Sequence, residues 1–165
     1  WLLARLGDGG QEIVRKLLES DDERQRILAY SSLRRVNGFD EKLASQLVTD
    51  PSAAVRRDVA LSLRDIDAGI AAPLLTAIAR GYDNRDRYYL EAFGTGATGK
   101  ESEVYDAVKE QLGDDDALKW SDAFARIAWR LHAESAARMH SAHHPHPGRP
   151  SNRAQSRSSC RPLHR

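Results

Sequence analysis

The sequence contains one cysteine, one methionine and no long hydrophobic run. A single thiol, Cys160, excludes an intramolecular disulfide, and it also excludes a zinc site or a haem attachment built on paired cysteines. No apolar run approaches the roughly 18 residues that a membrane-spanning helix needs. No signal peptide is recognisable at the start. Because the first residue is Trp1 and not Met, we expect the chain to be a fragment of a longer protein.

Charge and aromatic residues are divided unevenly along the chain. Residues 1–132 contain 19 Lys and Arg against 23 Asp and Glu, a net charge of −4. Residues 133–165 contain six Arg and one Glu, a net charge of +5, and no Trp, Tyr or Phe. The division predicts a folded domain over residues 1–132 and a disordered basic tail over residues 133–165.

The tail is rich in Arg, Ser, Pro, His and Ala. Its histidines could bind a divalent metal ion, but the neighbouring prolines and the lack of any apolar period favour adventitious metal affinity in a disordered segment. Out-of-frame reading of GC-rich DNA produces this composition, so we predict a frameshift product or an unselected extension. The histidines in question are His140, His143, His144 and His146.

A pattern of about thirty residues repeats along the chain. Gln25-Arg26-x-x-Ala29-x-x-Ser32-Leu33 returns as Val55-Arg56-x-x-Val59-x-x-Ser62-Leu63, and a weaker copy starts at Asp86-Arg87. Between these copies, pairs of apolar residues recur at steps of 30, 31 and 30 residues. Repetition at such a period is typical of solenoids. The pairs are Ile13 and Leu17, Leu43 and Leu47, Leu74 and Ile78, and Val104 and Val108.

Within each unit the apolar spacing is i, i+3, i+4, i+7, which is typical of amphipathic helices. We predict helices over residues 11–19, 22–36, 40–48, 52–65, 69–80, 86–94, 101–112 and 117–131. We predict that acidic residues just before these helices, including the one before Pro51, act as N-caps. We also predict that glycines just after the helices adopt the left-handed conformation. The predicted caps are Asp40, Asp50 and Asp67, and the predicted left-handed glycines are Gly38, Gly81 and Gly113.

The predicted fold is all-α: a right-handed α-solenoid of antiparallel helix pairs, of the HEAT-like, armadillo-type superhelix kind. Loops of a few residues force neighbouring helices to run antiparallel. Each pair can bury only one face, so successive pairs must stack into a continuous core. In this fold we expect Leu43, Leu74 and Val104 to be buried.

The segment Asp50-Pro51-x-x-x-Val55-Arg56-x-x-Val59-x-x-Ser62-Leu63 resembles HEAT repeats, in a variety shorter than usual. A second stretch is similar to the HEAT region of large bacterial proteins from planctomycetes and relatives: Tyr82-Asp83-x-x-Asp86-Arg87-Tyr88-Tyr89-Leu90-Glu91-Ala92-Phe93-Gly94, then Trp120 and Ala125-Arg126-Ile127-Ala128-Trp129-Arg130-Leu131-His132. The resemblance implies a place between a sugar-dehydrogenase-like β-propeller and a c-type haem domain. It would put the protein in the periplasm or outside the cell. Since no propeller or haem motif is present here, no redox chemistry is assigned to these residues.

Gly94-Thr95-Gly96-Ala97-Thr98-Gly99-Lys100 satisfies G-x-G-x-x-G and is one residue short of a P-loop, because Glu101 stands where Ser or Thr would bind magnesium. Both motifs need a strand before the glycines. The preceding segment is helical by pattern, and Glu101 and Glu103 would repel an anion. The interpretation is therefore a flexible loop between helices, with no nucleotide bound.

Three arginines, Arg26, Arg56 and Arg87, occupy one position of the repeat. They could form a basic ladder for an anionic partner. Repetition at a structural period favours the other interpretation, in which each guanidinium binds an acid or a loop carbonyl of the adjoining repeat.

Aromatic residues concentrate in the later repeats, at Tyr82, Tyr88, Tyr89, Tyr105, Trp120 and Trp129. Such residues mostly fill a core, although they are also enriched at binding hot spots. Tyr88 and Tyr89 are neighbours on a helix, so one of the two should face outwards. The candidate interaction surface comprises Tyr82, Arg87, Tyr88, Tyr89 and Trp120.

Two short acidic runs, Asp21-Asp22-Glu23 and Asp114-Asp115-Asp116, lack the alternating spacing of a calcium loop. Acids at the starts of helices explain both runs, because they stabilise the helix macrodipole. No metal or other cofactor is predicted.

The leading function predicted is a non-catalytic scaffold for a protein partner or for other domains of the same parent chain. One alternative is an accessory segment of a secreted, sugar-dehydrogenase-like, c-type cytochrome oxidoreductase. Another is an enzyme on a HEAT-like scaffold, such as a DNA glycosylase or a bilin lyase. A glycosylase needs a basic concave face, which the net acidic charge of residues 1–132 disfavours. Neither nucleic acid nor membrane is predicted as a partner.

Overall fold

In a computed structural model, residues 1–131 form eight α-helices and three short 3-10 turns, and this part of the chain contains no strand. The predicted all-α class is confirmed. None of the helices within residues 1–131 has the length and apolar character needed to cross a membrane. The α-helices are α1 (Asp8–Lys16), α2 (Glu23–Asn37), α3 (Glu41–Leu47), α4 (Ala53–Ser62), α5 (Ala68–Arg80), α6 (Arg87–Gly96), α7 (Glu101–Leu112) and α8 (Asp122–Leu131).

Acidic side chains start several of these helices, as predicted. The carboxylate of Asp40 accepts a hydrogen bond from the backbone N–H of Leu43, and Asp67 caps α5 in a similar way. The predicted cap at Asp50 is wrong. Ser52 caps α4 instead, while the carboxylate of Asp50 accepts from the backbone N–H of Ser52 and from the buried side chain of Arg26.

Only one of the three glycines predicted to be left-handed has that conformation. Gly38 follows α2 with φ of 81°, whereas Gly81 and Gly113 have φ of −87° and −89°. At Gly81 and Gly113 the glycine is explained by lack of space for a Cβ, and not by a left-handed φ. A Cβ at Gly81 would lie 2.7 Å from Nε of Arg56, and one at Gly113 would lie 2.7 Å from the carbonyl oxygen of Lys109.

The last predicted helix is divided in two. Residues Ala117–Lys119 form a single 3-10 turn, and α8 begins only at Asp122. Two separate caps cause the break, because Asp116 accepts from the N–H of Leu118 and the hydroxyl of Ser121 accepts from the N–H of Phe124.

The helices pack in two rows. In one, α2 packs on α4, α4 on α6 and α6 on α8; in the other, α3 packs on α5 and α5 on α7. We call these the α2–α8 row and the α3–α7 row. Contacts of α3 with α4, α4 with α5, α5 with α6 and α7 with α8 join the rows. The core lies between them.

The apolar residues that recur in the sequence fill this core. Leu43, Leu74 and Val104 are buried, as predicted, with exposures of 5%, 8% and 0%. The first copy deviates: Ile13 is 52% exposed, and its neighbour Val14 is buried instead. The prediction for Ile13 is therefore wrong, because the buried side of α1 is shifted by one residue along the chain.

The predictions for the tail fall outside the described residues. They concern its disorder, its frameshift origin, Cys160 and the histidines from His140 to His146.

Candidate functional site

An exposed groove lies between α4 and α6 on the α2–α8 row. It has a volume of about 410 Å³ and exposes two large apolar side chains, Leu61 at 45% and Tyr88 at 77%. We call it the Leu61 groove. Exposed apolar side chains in a groove are a common feature of protein-binding surfaces. It is lined by Arg57, Leu61, Tyr88, Glu91, Ala92 and Thr95.

Ion pairs between successive helices of the row border the Leu61 groove. Arg57 of α4 lies 3.0 Å from the carboxylate of Asp86, which also caps α6. Arg130 of α8 lies 3.0 Å from the carboxylate of Glu91. Because these charges are paired across helices, the part of the groove around Leu61 and Tyr88 is left predominantly apolar.

Tyr88 and Tyr89 point in opposite directions, as predicted. Tyr89 is only 2% exposed, and its hydroxyl donates to the carbonyl of Ile78 at 2.6 Å and accepts from Nε of Arg56 at 3.0 Å. Its ring stacks on Tyr82, with centroids 5.7 Å apart. Burial raises the pKa of Tyr89, and the hydrogen bond from Arg56 partly offsets this rise. Tyr82 and Tyr89 therefore belong to the core.

The five residues of the predicted interaction surface do not form one surface. Arg87 and Tyr88 are exposed, Trp120 is partly buried, and Tyr82 and Tyr89 are buried. Burial removes the last two from any contact surface, so their assignment is corrected. Leu61, which lines the groove with Tyr88, was missed. The available signal was its position two residues after Val59, off the buried side of α4.

The other aromatic residues of the later repeats are also divided. Tyr105 is buried at 1% exposure, as expected of a core residue. Trp120 packs edge-on against Phe124 at 4.8 Å and donates from its indole to the carbonyl of Asp114 at 2.7 Å. Trp129 is 69% exposed, so the prediction of a core position is wrong for this residue. Trp129 lies on the side of α8 away from Phe124 and Ile127.

Two of the three repeated arginines hold neighbouring repeats together, as predicted. Arg26 donates to both carboxylate oxygens of Asp50, at 2.9 and 2.8 Å. Arg56 donates to the carbonyls of Pro51 and Gly81, at 3.2 and 2.9 Å. The contacts with Asp50 and Gly81 join α2 and α4, respectively, to the loop that follows the next helix along the chain.

Arg87 departs from this pattern. Its side chain is 86% exposed and lies 3.9 Å from Glu91, one turn along the same helix. The reason is the start of α6. Arg26 and Arg56 are fourth in their helices, whereas α6 begins at Arg87 itself. The predicted structural role is therefore wrong for Arg87.

The glycine-rich segment from Gly94 to Lys100 is more ordered than predicted. Gly94 and Gly96 lie in the last turn of α6, and only Gly99, with φ of 78°, has a left-handed turn conformation. Lys100 is 6% exposed, and its ammonium group donates to the carbonyls of Arg64 at 2.7 Å and Gly96 at 3.1 Å. The prediction of a flexible loop is corrected, while the predicted helix before the glycines is confirmed. A lysine held in this way braces the fold.

The acidic runs have the predicted role at helix starts. Asp22 caps α2 by accepting from the N–H of Arg24, and Asp116 caps the 3-10 turn. Within residues 1–131, no three His, Cys, Asp or Glu side chains are grouped so that they could hold a metal ion.

No protein-family model matches the chain, and the comparisons with curated proteins and with solved structures find no match either.

Proposed function

We propose that residues 1–132 form a right-handed solenoid of HEAT-like, antiparallel helix pairs. In this proposal the solenoid is a non-catalytic scaffold that binds a protein partner or spaces other domains of its parent chain. The observation that carries the proposal is the packing of every helix from α2 to α6 on the second helix after it.

The burial pattern supports the repeat architecture. Ala29, Val59 and Leu90 are all buried at one position of the α2–α8 row, and Leu43, Leu74 and Val104 are buried at one position of the α3–α7 row. A stack in which every unit contacts only its neighbours gives this periodicity, because each unit has to bury the same face.

The Leu61 groove supports a role in binding proteins. It combines an exposed tyrosine with an exposed leucine on the rigid surface of two packed helices, and tyrosine is enriched at binding hot spots. The buried charged side chains Arg26, Asp50 and Lys100 are all engaged in hydrogen bonds within the fold. Their contacts suit structural roles and not catalytic ones.

The resemblance to the HEAT region of multidomain dehydrogenases is the basis for the spacing role. In that arrangement the partner would be a domain of the same parent chain. The scaffold would then act through its surface, with no redox chemistry of its own.

A photo-crosslinker at Tyr88 tests the proposal. Benzoylphenylalanine at this exposed aromatic position, in the full chain expressed in its native cells, should give one discrete cross-linked protein. Leu61→Glu in the same chain should abolish that product, because a carboxylate would be placed at the apolar centre of the groove. Circular dichroism would verify that the variant keeps its helical content.

Leu118 provides the matched control position. It is also an exposed apolar residue, at 80%, but it lies on the 3-10 turn outside both rows. A crosslinker there should not give the Tyr88 product. Identical products from both positions, or no product from Tyr88, would reject the binding of a partner protein at the Leu61 groove.

A further inference from the structure

A second groove lies beside α2, near the beginning of the chain, with a volume of about 510 Å³. Trp1 forms one wall and Leu28, which is 55% exposed, contributes an apolar side chain. No acidic side chain lines this groove among residues 1–131. We call it the Arg35 groove. Its lining residues are Trp1, Leu28, Ser31, Ser32, Arg34 and Arg35.

Two arginines, Arg5 and Arg35, lie over the ring of Trp1, and Arg34 lines the same groove. The guanidinium carbons of Arg5 and Arg35 lie 5.2 and 5.8 Å from the centre of the indole ring, which fixes both over its faces. Within the described part of the chain, Arg5, Arg34 and Arg35 form no ion pair. Nε of Arg34 is buried and has no hydrogen-bond partner there.

The nearest carboxylate that the groove residues bind is that of Asp58, which accepts from the hydroxyl of Ser31 at 2.9 Å. Asp58 belongs to α4, and it does not line the groove. The groove thus has an excess of positive charge next to exposed leucine and tryptophan surface. Guanidinium groups bind carboxylates through paired hydrogen bonds, so the chemistry suits an anionic ligand with apolar groups.

The charge of the rest of the domain distinguishes between anionic ligands. Residues 1–132 carry a net charge of −4, so a long polyanion such as a nucleic acid would be repelled outside the groove. A short peptide contacts only the groove. Its Asp or Glu side chains would meet the arginines, and its apolar side chains would meet Leu28 and Trp1.

We propose that the Arg35 groove is a docking site for an acidic, leucine-containing peptide segment of a partner protein. This site goes beyond the proposed scaffold role, because it is separate from the Leu61 groove and does not require it. Opposite charges bring such a segment to the groove, and Leu28 with Trp1 gives preference to apolar residues within it.

Fluorescence anisotropy with labelled peptides tests the site on the full chain. The probe is a peptide of alternating Glu and Leu, and the comparison is the same peptide with Gln in place of Glu. We expect binding of the Glu peptide, weaker binding at high salt, and at least about tenfold weaker binding of the Gln peptide. Arg35→Glu should weaken binding of the Glu peptide about tenfold.

Lys42→Glu is the matched control, because it makes the same change in net charge at an exposed position of α3. It should leave binding within about twofold of the unmodified chain, since Lys42 does not line the groove and exposed charges are screened. Equal losses in the two variants, or no binding of the Glu peptide, would overturn the proposal. Tighter binding of a single-stranded oligothymidine that Arg35→Glu abolishes would also overturn it, in favour of nucleic acid. The crosslinking at Tyr88 does not involve this groove, so the two proposals fail separately.

Discussion

At the scale of single residues, Lys100 is the side chain that joins α6, α7 and the end of α4. Its ammonium group donates to the carbonyls of Arg64, Gly96 and Thr98, at 2.7, 3.1 and 3.3 Å. Lys100→Met removes these hydrogen bonds and leaves one buried and two partly buried carbonyls without this donor. We expect a loss of about 2–4 kcal/mol in the free energy of unfolding, measured by urea denaturation. Lys42→Met, at an exposed position, should cost less than about 0.5 kcal/mol, and equal losses would contradict the bracing role.

Buried tyrosines make stability depend on pH in the alkaline range. Burial raises the pKa of Tyr30 above its ordinary value of about 10, with a smaller opposing effect of the hydrogen bond to Ser62. Below pH 10 the hydroxyl is protonated in both the folded and the unfolded chain. Above pH 10 the unfolded chain releases its proton first, so the free energy of unfolding falls as pH rises.

Tyr30→Phe should therefore make the urea midpoint fall less steeply above pH 10 than it does in the unmodified chain. At pH 7 the variant should lose about 1 kcal/mol with the hydrogen bond to Ser62, which spans 2.6 Å. Parallel falls of the two midpoints between pH 8 and pH 11 would show that Tyr30 does not cause the alkaline effect.

At the scale of helices, the sequence predicted that each α-helix exists, but it predicted their boundaries only in part. Each of the eight α-helices overlaps a range predicted from apolar spacing, because burial of one helix side leaves a local pattern in the sequence. The N-cap of α4 was misplaced at Asp50, whose carboxylate accepts a hydrogen bond from Arg26, 24 residues away. Such a tertiary contact leaves no local pattern.

The candidate groove, too, was predictable only in part. Helix geometry alone predicted that Tyr88 and Tyr89 face opposite sides. The Leu61 groove depends instead on how closely α6 approaches α4, which is decided where Gly96 meets the backbone of Ala60. No spacing within either helix reports that distance, so the groove could not be predicted, although the position of Leu61 after Val59 indicated an outward side chain.

Because α6 closely approaches α4, two Gly→Ala substitutions should change the stability in opposite directions. A Cβ at Gly96 would lie 2.3 Å from the carbonyl oxygen of Ala60, so Gly96→Ala must separate the helices. We expect a loss of about 1–3 kcal/mol. Gly9→Ala in α1, where no atom lies within 4 Å, should stabilise by up to about 1 kcal/mol through helix propensity. Thermal denaturation measures both, and a gain at Gly96 would contradict the close packing.

At the scale of the whole molecule, the unit of the proposed solenoid is a helix pair of about thirty residues. Leu33 and Leu63 are both buried at one position of the repeat, so residues 34–63 constitute one such unit. Inserting a second copy of residues 34–63 after Leu63 should add a pair while every later helix keeps its row. Because each unit contacts only its neighbours, we expect one cooperative unfolding transition, with a urea m-value about one fifth larger.

Inserting a copy of residues 49–63 alone provides the contrasting experiment. It adds α4 without α3, so each later helix would be moved into the opposite row with its polar side towards the core. We expect this shorter insertion to abolish cooperative unfolding, as followed by circular dichroism in urea. If the half unit were tolerated and the full unit were not, the helices could not be a stack of equivalent pairs. A solenoid should tolerate an insertion according to whether later helices keep their row, and not according to its length. This dependence distinguishes a solenoid from an irregular helical bundle.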